Sequence, residues 1–272
     1  MQKVFEITNR YSILLTPLIL FSLISTIYIA FSLSGGKFIN LIFTVIILTL
    51  MTAAFISGWL FMVKTAVEYP ETDEPNLLIK HFMSGIGEYF ISSLVALIII
   101  FTLFIFMFIG TYFVGINVIG NPNIATDALS EAMKNTTALS QFASSLTKDQ
   151  LLKLNAWNFL LMGGILLTYF LTFLYMPALF FKNKNPFKAF FISLKDLVSK
   201  KIINTFLIFI LIIAVNCIIS VLTTIFNTSP ILYFILTLLN FYFITIATVG
   251  IFYYYYQTFV KPLIGQNIDL KI

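Results

Sequence analysis

Six stretches of the chain are almost free of polar residues, and each is long enough to cross a bilayer. They cover about 11–34, 38–67, 89–120, 155–181, 202–226 and 231–260. A helical crossing takes about 20 apolar residues, so the pattern predicts six spanning helices joined by polar segments. The breaks are Gly35-Gly36-Lys37, the polar run from Glu68 to Glu88, a hydrophilic segment at 121–153, a basic segment from Lys182 to Lys201, and the turn Asn227-Thr228-Ser229-Pro230. Lys64 falls near the end of the second stretch, where it can snorkel to the interface. Ser32 and Ser34 imitate a signal-peptide cleavage site, but the first stretch exceeds the apolar core of about 7–15 residues found in signal peptides. It is expected to be a retained helix.

Two of the polar segments carry a helical rather than a random pattern. At about 75–88, Asp73 and Pro75 are suited to open a helix. Leu78, Phe82, Ile86 and Phe90 then recur every fourth residue, with Ile79 and Met83 beside them and Lys80, Ser84 and Glu88 opposite. At about 186–200, Asn185 is placed to cap and Pro186 to begin a helix. Its apolar face is Phe187, Phe190, Phe191, Leu194, Leu197 and Val198, and its polar face Lys188, Lys195 and Asp196. Both segments read as amphipathic helices lying in the membrane interface. Residues 2–10 form a shorter version, so the chain also reads as three parallel copies of an interfacial helix followed by two spans. The segment 121–153 is expected to be an extracytoplasmic helical insert, with a weakly apolar stripe at Ala128, Leu129, Ala132 and Met133. Thr147 and Gln150 have the spacing of a capping box. Such an insert is either a cap over the bundle or a lid in contact with a solute. The expected fold is thus an all-α, polytopic transmembrane bundle, a single integral membrane domain over 1–272.

Composition strengthens this picture. Of 272 residues, 60% are hydrophobic and 10% charged, against about 25% charged in soluble domains, and the mean hydropathy is +0.99. Charge also sets the orientation. With the N-terminus inside, twelve basic residues (Lys3, Arg10, Lys64, Lys80, Lys182, Lys184, Lys188, Lys195, Lys200, Lys201, Lys261 and Lys271) are cytoplasmic. Four, Lys37, Lys134, Lys148 and Lys153, are outside. The positive-inside rule then places both termini in the cytoplasm, in the inner or plasma membrane. Only one of the 16 basic residues, Arg10, is an arginine, a usage expected of an AT-rich, bacterial source. Cys217, alone in an apolar run, is read as a small packing residue.

Catalytic chemistry is nearly absent. None of the eleven acids lies near the middle of a predicted span, where proton-coupled transporters and aspartyl intramembrane proteases need one. His81 is the only histidine, so neither a His-based zinc site nor an HExxH motif is possible. No glycine-rich nucleotide-binding pattern occurs. No catalytic residue, metal, cofactor or nucleic-acid partner is therefore expected. The polar residues within spans, Asn204, Asn216, Ser220 and Asn240, are candidates for hydrogen bonds between helices, with a solute path as the rival for Asn216 and Asn240. Lys182, Lys184, Lys188, Lys195, Lys200 and Lys201 are candidate contacts for anionic lipid headgroups. Pro17 and Pro177 predict kinks, Gly163-Gly164 predicts close helix approach or bending, and Tyr253 to Tyr256 read as an aromatic belt.

The run Pro177-Ala178-Leu179-Phe180-Phe181, followed by Asn185-Pro186-Phe187-Lys188-Ala189-Phe190 and Ser193-Leu194-Lys195, resembles uncharacterised bacterial six-span families. It is similar to the membrane domain attached to some glycerophosphodiester phosphodiesterases. The match covers about 177–204, with a fainter echo at 75–89. The resemblance implies architecture and lipid surroundings rather than hydrolysis, because the chain has no room for the soluble phosphodiesterase domain and none of its acidic or histidine ligands. Taken together, the sequence points first to a non-catalytic scaffold, accessory or lipid-associated protein, with membrane lipids and a protein partner or second copy as partners. The alternatives are the permease subunit of an ATP-driven transporter and an intramembrane lipid-modifying enzyme, the latter built on a cluster of Lys80, His81, Glu88 and Lys195.

Overall fold

The computed structural model describes residues 2–33, 38–71, 77–122 and 136–263. Among these residues the chain is helical, with no strand. The elements are α1 (Gln2–Arg10), a 3₁₀ turn (Ser12–Leu14), α2 (Leu15–Leu33), α3 (Phe38–Glu68), α4 (Leu77–Val118), α5 (Thr136–Ser145), α6 (Lys148–Thr172), α7 (Tyr175–Phe181), α8 (Pro186–Leu197), α9 (Ile202–Ile225) and α10 (Pro230–Tyr255). A π-helical turn, Tyr256–Val260, closes the series. Six helices are long and apolar enough to cross a membrane: Ser12–Ser32, Ile39–Glu68, Leu78–Val118, Lys148–Phe181, Ile202–Ile225 and Pro230–Leu263. Large apolar side chains such as Phe31, Phe106, Phe159 and Ile203 lie on their outer surfaces. In water that arrangement would be strongly unfavourable; in lipid it is the expected one.

Element boundaries follow local chemistry. The expected short helix at 75–88 is not a separate element, for residues 77–118 form one uninterrupted helix. Nothing near Glu88 stops it, since neither Gly85 nor Gly87 adopts a positive φ and no proline intervenes. Asp73 and Pro75 lie outside the described residues, as do Ala128 to Met133 of the expected insert. The far end of α4 does have a terminator. Gly120 adopts φ +80°, and the amides of Ile119 and Gly120 both donate to the Gly115 carbonyl, at 2.8 and 3.1 Å. A side chain at Gly120 would be strained in this left-handed conformation. The capping box forms: the Thr147 amide donates to Gln150 Oε1 (3.0 Å), and the Gln150 amide to Thr147 Oγ1 (3.3 Å). This starts α6 at Lys148, and the helix runs on without interruption into the fourth apolar stretch. Asn185 caps α8 by accepting from the Lys188 amide at 3.1 Å.

Pro177 interrupts the fourth apolar stretch. Its missing N–H and bulky ring disfavour a continuous helix, and the chain breaks at 173–174 before resuming as α7. Pro17 is likewise the third residue of α2, directly after the 3₁₀ turn.

The chain divides into two compact units, Met1–Ile99 with Leu171–Ile272, and Ile100–Phe170. In the smaller unit, the outer part of α4 packs on α6. Gly115 accommodates the Trp157 ring, and the Trp157 indole donates to the Gly120 carbonyl at 3.1 Å. A Cβ at Gly164 would lie 2.7 Å from Met107 Sδ and from Thr111 Cγ2, whereas one at Gly163 would meet open space. Of the two glycines, only Gly164 serves close approach.

In the larger unit α10 is central and packs against α1, α2, α3, α7 and α9. Thr245, Val249, Phe252 and Tyr255 form its buried stripe, at the three- and four-residue spacing of one helix face. α3 and the start of α4 cross closely through Gly58 and Gly85. The Trp59 indole donates to the Leu14 carbonyl at 2.8 Å, tying α3 to the 3₁₀ turn. Trp59→Phe deletes this bond and leaves a smaller ring in a buried site, with an expected loss of at least about 1 kcal/mol. A lowered thermal midpoint in detergent, with unchanged gel-filtration behaviour, is the measurement that checks it.

Candidate functional site

The short helix α1 has two exposed faces around its buried stripe of Val4, Ile7 and Thr8. Lys3, Glu6 and Arg10 recur at three- and four-residue spacing, so they share one face. Phe5 lies on the other, beside buried Val4. The first face lines a cavity of about 350 Å³, closed by Glu68 from the end of α3, by Pro70 and Glu71 beyond it, and by Tyr253, Tyr256, Gln257 and Lys261 from the end of α10. Among the described residues, three cations and three carboxylates therefore line one small cavity. One Arg10 N–H donates to the Pro70 carbonyl at 3.1 Å. Lys3, Glu6, Glu68, Glu71 and Lys261 make no ion pair with another described residue.

The second face of α1 borders an apolar groove of about 530 Å³ between α1, α9 and α10. Val4, Phe5, Leu211, Val215, Phe243 and Gly250 contribute to its lining. Tyr253 and Gln257 line both the polar cavity and this groove. Tyr253 and Gln257 are four residues apart and so share one face of the helix end, where the α-helix passes into the π turn. Wider winding at Tyr256–Val260 changes the direction of successive side chains relative to an α-helix, and such turns recur at functional sites.

Beside the cavity lies an ionic and aromatic core that the sequence did not announce. Lys182 pairs with both carboxylate oxygens of Asp196 at 3.1 and 2.8 Å, and Tyr255 donates to Asp196 Oδ2 at 2.6 Å. The pair is largely buried, with side chains 18% and 13% exposed. The Tyr255 and Phe259 rings flank the ammonium at 5.4 and 5.5 Å. Lys64 faces three rings, Phe61, Tyr89 and Phe181, at 5.7 to 6.0 Å, close enough for cation–π attraction. Tyr89 in turn stacks on Phe180, ring centroids 4.4 Å apart.

No protein-family model, curated protein or solved structure matches the chain.

Several expected roles move to neighbouring residues. Asn204, Asn216 and Ser220 are exposed on α9, and none makes a side-chain hydrogen bond among the described residues. The bond between α9 and α10 is made instead by Thr205, whose hydroxyl meets the Tyr254 hydroxyl at 2.8 Å. One residue along a helix is a rotation of about 100°, enough to turn Asn204 away while Thr205 faces its neighbour. Asn240 is half-buried on α10, and its Oδ1 has no hydrogen-bond partner among the described residues. Cys217 is exposed rather than packed inside.

The six lysines also separate. Lys182 is engaged with Asp196, and Lys184 pairs with Glu88. Lys188, Lys195, Lys200 and Lys201 are exposed. Asp196, expected to face water, is turned inward, and Lys64 lies over rings. His81 lies beside Phe61, ring centroids 5.9 Å apart, and does not line the polar cavity. Among the described residues no three His, Cys, Asp or Glu side chains converge to hold a metal. The cavity offers both signs of charge together with hydrogen-bonding groups from Tyr253, Tyr256 and Gln257.

Proposed function

We propose that this is a multi-pass protein of a bacterial cell membrane, with both termini in the cytoplasm, that acts without catalysis as a lipid-associated scaffold or accessory subunit. One observation carries the reading: a charged cavity and an apolar groove meet along Tyr253 and Gln257. A phospholipid has the same division, a charged head joined to apolar chains. The twelve-to-four bias in basic residues favours a cytoplasmic position for α1, α8 and the end of α10. On α8 the exposed Phe187 and Phe191 lie among Lys188, Lys195, Lys200 and Lys201. That combination supports an interfacial helix whose lysines meet anionic headgroups.

The test is affinity purification of the tagged protein in mild detergent, followed by mass spectrometry of the lipids and proteins it retains. Phospholipid is expected at near-stoichiometric amounts after extended washing. Stoichiometric recovery of a nucleotide-binding ATPase would overturn the scaffold reading in favour of a transporter's permease subunit.

A further inference from the structure

We infer that the polar cavity takes a zwitterionic phosphoethanolamine headgroup, with one acyl chain of the same lipid lying in the groove past Tyr253 and Gln257. This deepens the lipid-associated reading and rests on it.

An anionic headgroup needs a surplus of cations, whereas among the described residues Lys3, Arg10 and Lys261 are matched by Glu6, Glu68 and Glu71. A neutral diacylglycerol would leave both sets without a ligand partner. A zwitterion presents one charge to each set. The ammonium finds the carboxylates, and the phosphate finds the lysines, with Arg10 anchoring the rim through Pro70.

Hydrogen bonding then selects the ammonium. A primary ammonium has three N–H donors, and ionised carboxylates are acceptors only, so the two are complementary. A quaternary ammonium has no donor and is usually held by an aromatic cage. The cavity supplies two rings, Tyr253 and Tyr256, beside three carboxylates, which favours the primary amine. Size agrees as well: about 350 Å³ lies at the small end of the roughly 300–1,000 Å³ typical of ligand pockets. The chain follows from continuity. Gly250 lines the groove, and a Cβ there would lie 3.7 Å from Val4 Cγ1, so a larger side chain would occupy the groove without touching the charged cavity.

The experiment uses the full chain in detergent, titrated with short-chain phosphatidylethanolamine, phosphatidylcholine and phosphatidylglycerol, and with chain-free glycerophosphoethanolamine. Binding is read by calorimetry. Phosphatidylethanolamine is expected to bind at least about tenfold more tightly than either other lipid, and chain-free glycerophosphoethanolamine more weakly than the intact lipid. The double variant Glu6→Gln, Glu68→Gln keeps shape but leaves the cavity net cationic, and its preference should shift to phosphatidylglycerol. Gly250→Leu should weaken the intact lipid while leaving the chain-free headgroup unchanged.

Equal or tighter binding of phosphatidylglycerol by the unaltered protein would overturn the zwitterion assignment while leaving a lipid-associated protein. Equal binding of phosphatidylcholine would overturn the primary-ammonium assignment. Binding of none of the lipids would overturn the lipid-associated reading itself. If the double variant fails to fold, Lys261→Gln serves in its place. It should weaken phosphatidylethanolamine and phosphatidylglycerol alike, and unchanged affinity for both would remove the phosphate from its assigned position.

Discussion

Asp196→Ala is expected to be the most damaging single change in the ionic core, destabilising the protein by about 3 kcal/mol. The substitution leaves the Lys182 ammonium with no carboxylate in a site where its side chain is only 18% exposed. It also removes the acceptor of the buried Tyr255 hydroxyl. An isolated buried cation costs far more than the pair was worth, which is why removing one partner differs from removing both. The double variant Lys182→Met, Asp196→Leu is accordingly expected to recover most of the loss. Thermal unfolding in detergent, followed by tryptophan fluorescence, measures both. If Asp196→Ala melts with the unaltered protein, α8 is held to α7 and α10 by packing alone, and the ion pair is incidental.

Gly85→Leu should be as severe for a different reason. A Cβ at Gly85 would lie 2.7 Å from the Ser57 carbonyl oxygen, and backbone cannot move aside as a flexible side chain can. α3 and α4 would have to separate, opening the contacts of Gly58 with Phe82 and of Phe61 with Tyr89. Overpacking typically costs about 1–3 kcal/mol, and the upper end is expected here. Gly87→Leu is the control: two residues along the same helix, a Cβ would meet nothing within 4 Å. Loss of a monodisperse gel-filtration peak for the first variant but not the second is the expected outcome. Equal tolerance of both would mean that the close crossing is not required for folding.

The pattern of apolar stretches was enough to place the six long helices, because that signal is summed over some twenty residues and survives local error. Local caps were also legible, at Thr147 with Gln150 and at Asn185, since a cap is read within one turn. What the sequence hid was direction. Nothing in the apolar run around Asn204 says which side faces α10, and there the answer was Thr205. The four tyrosines at 253–256 are spread over about 300° of the helix circumference, so they could never all face one way. Tyr255 turns inward to Asp196, Tyr254 to Thr205, and Tyr253 and Tyr256 to the polar cavity. Asp196 looked solvated because its partner Lys182 lies fourteen residues away, across a helix break no local window spans. The cavity was hidden for the same reason, its charges coming from α1, the end of α3 and the end of α10.

The unbroken helix α4 has a consequence for the membrane itself. Its residues 89–118 carry no charge, and at 1.5 Å per residue they extend about 45 Å, against a hydrocarbon thickness of about 30 Å. With no proline to bend the helix, that excess is met by tilt or by a locally thickened bilayer, each ångström of mismatch costing a fraction of a kcal/mol. A helix of this length set beside the 21-residue Ser12–Ser32 would take up the difference by tilting, so the angle of α4 would follow the length of the surrounding acyl chains.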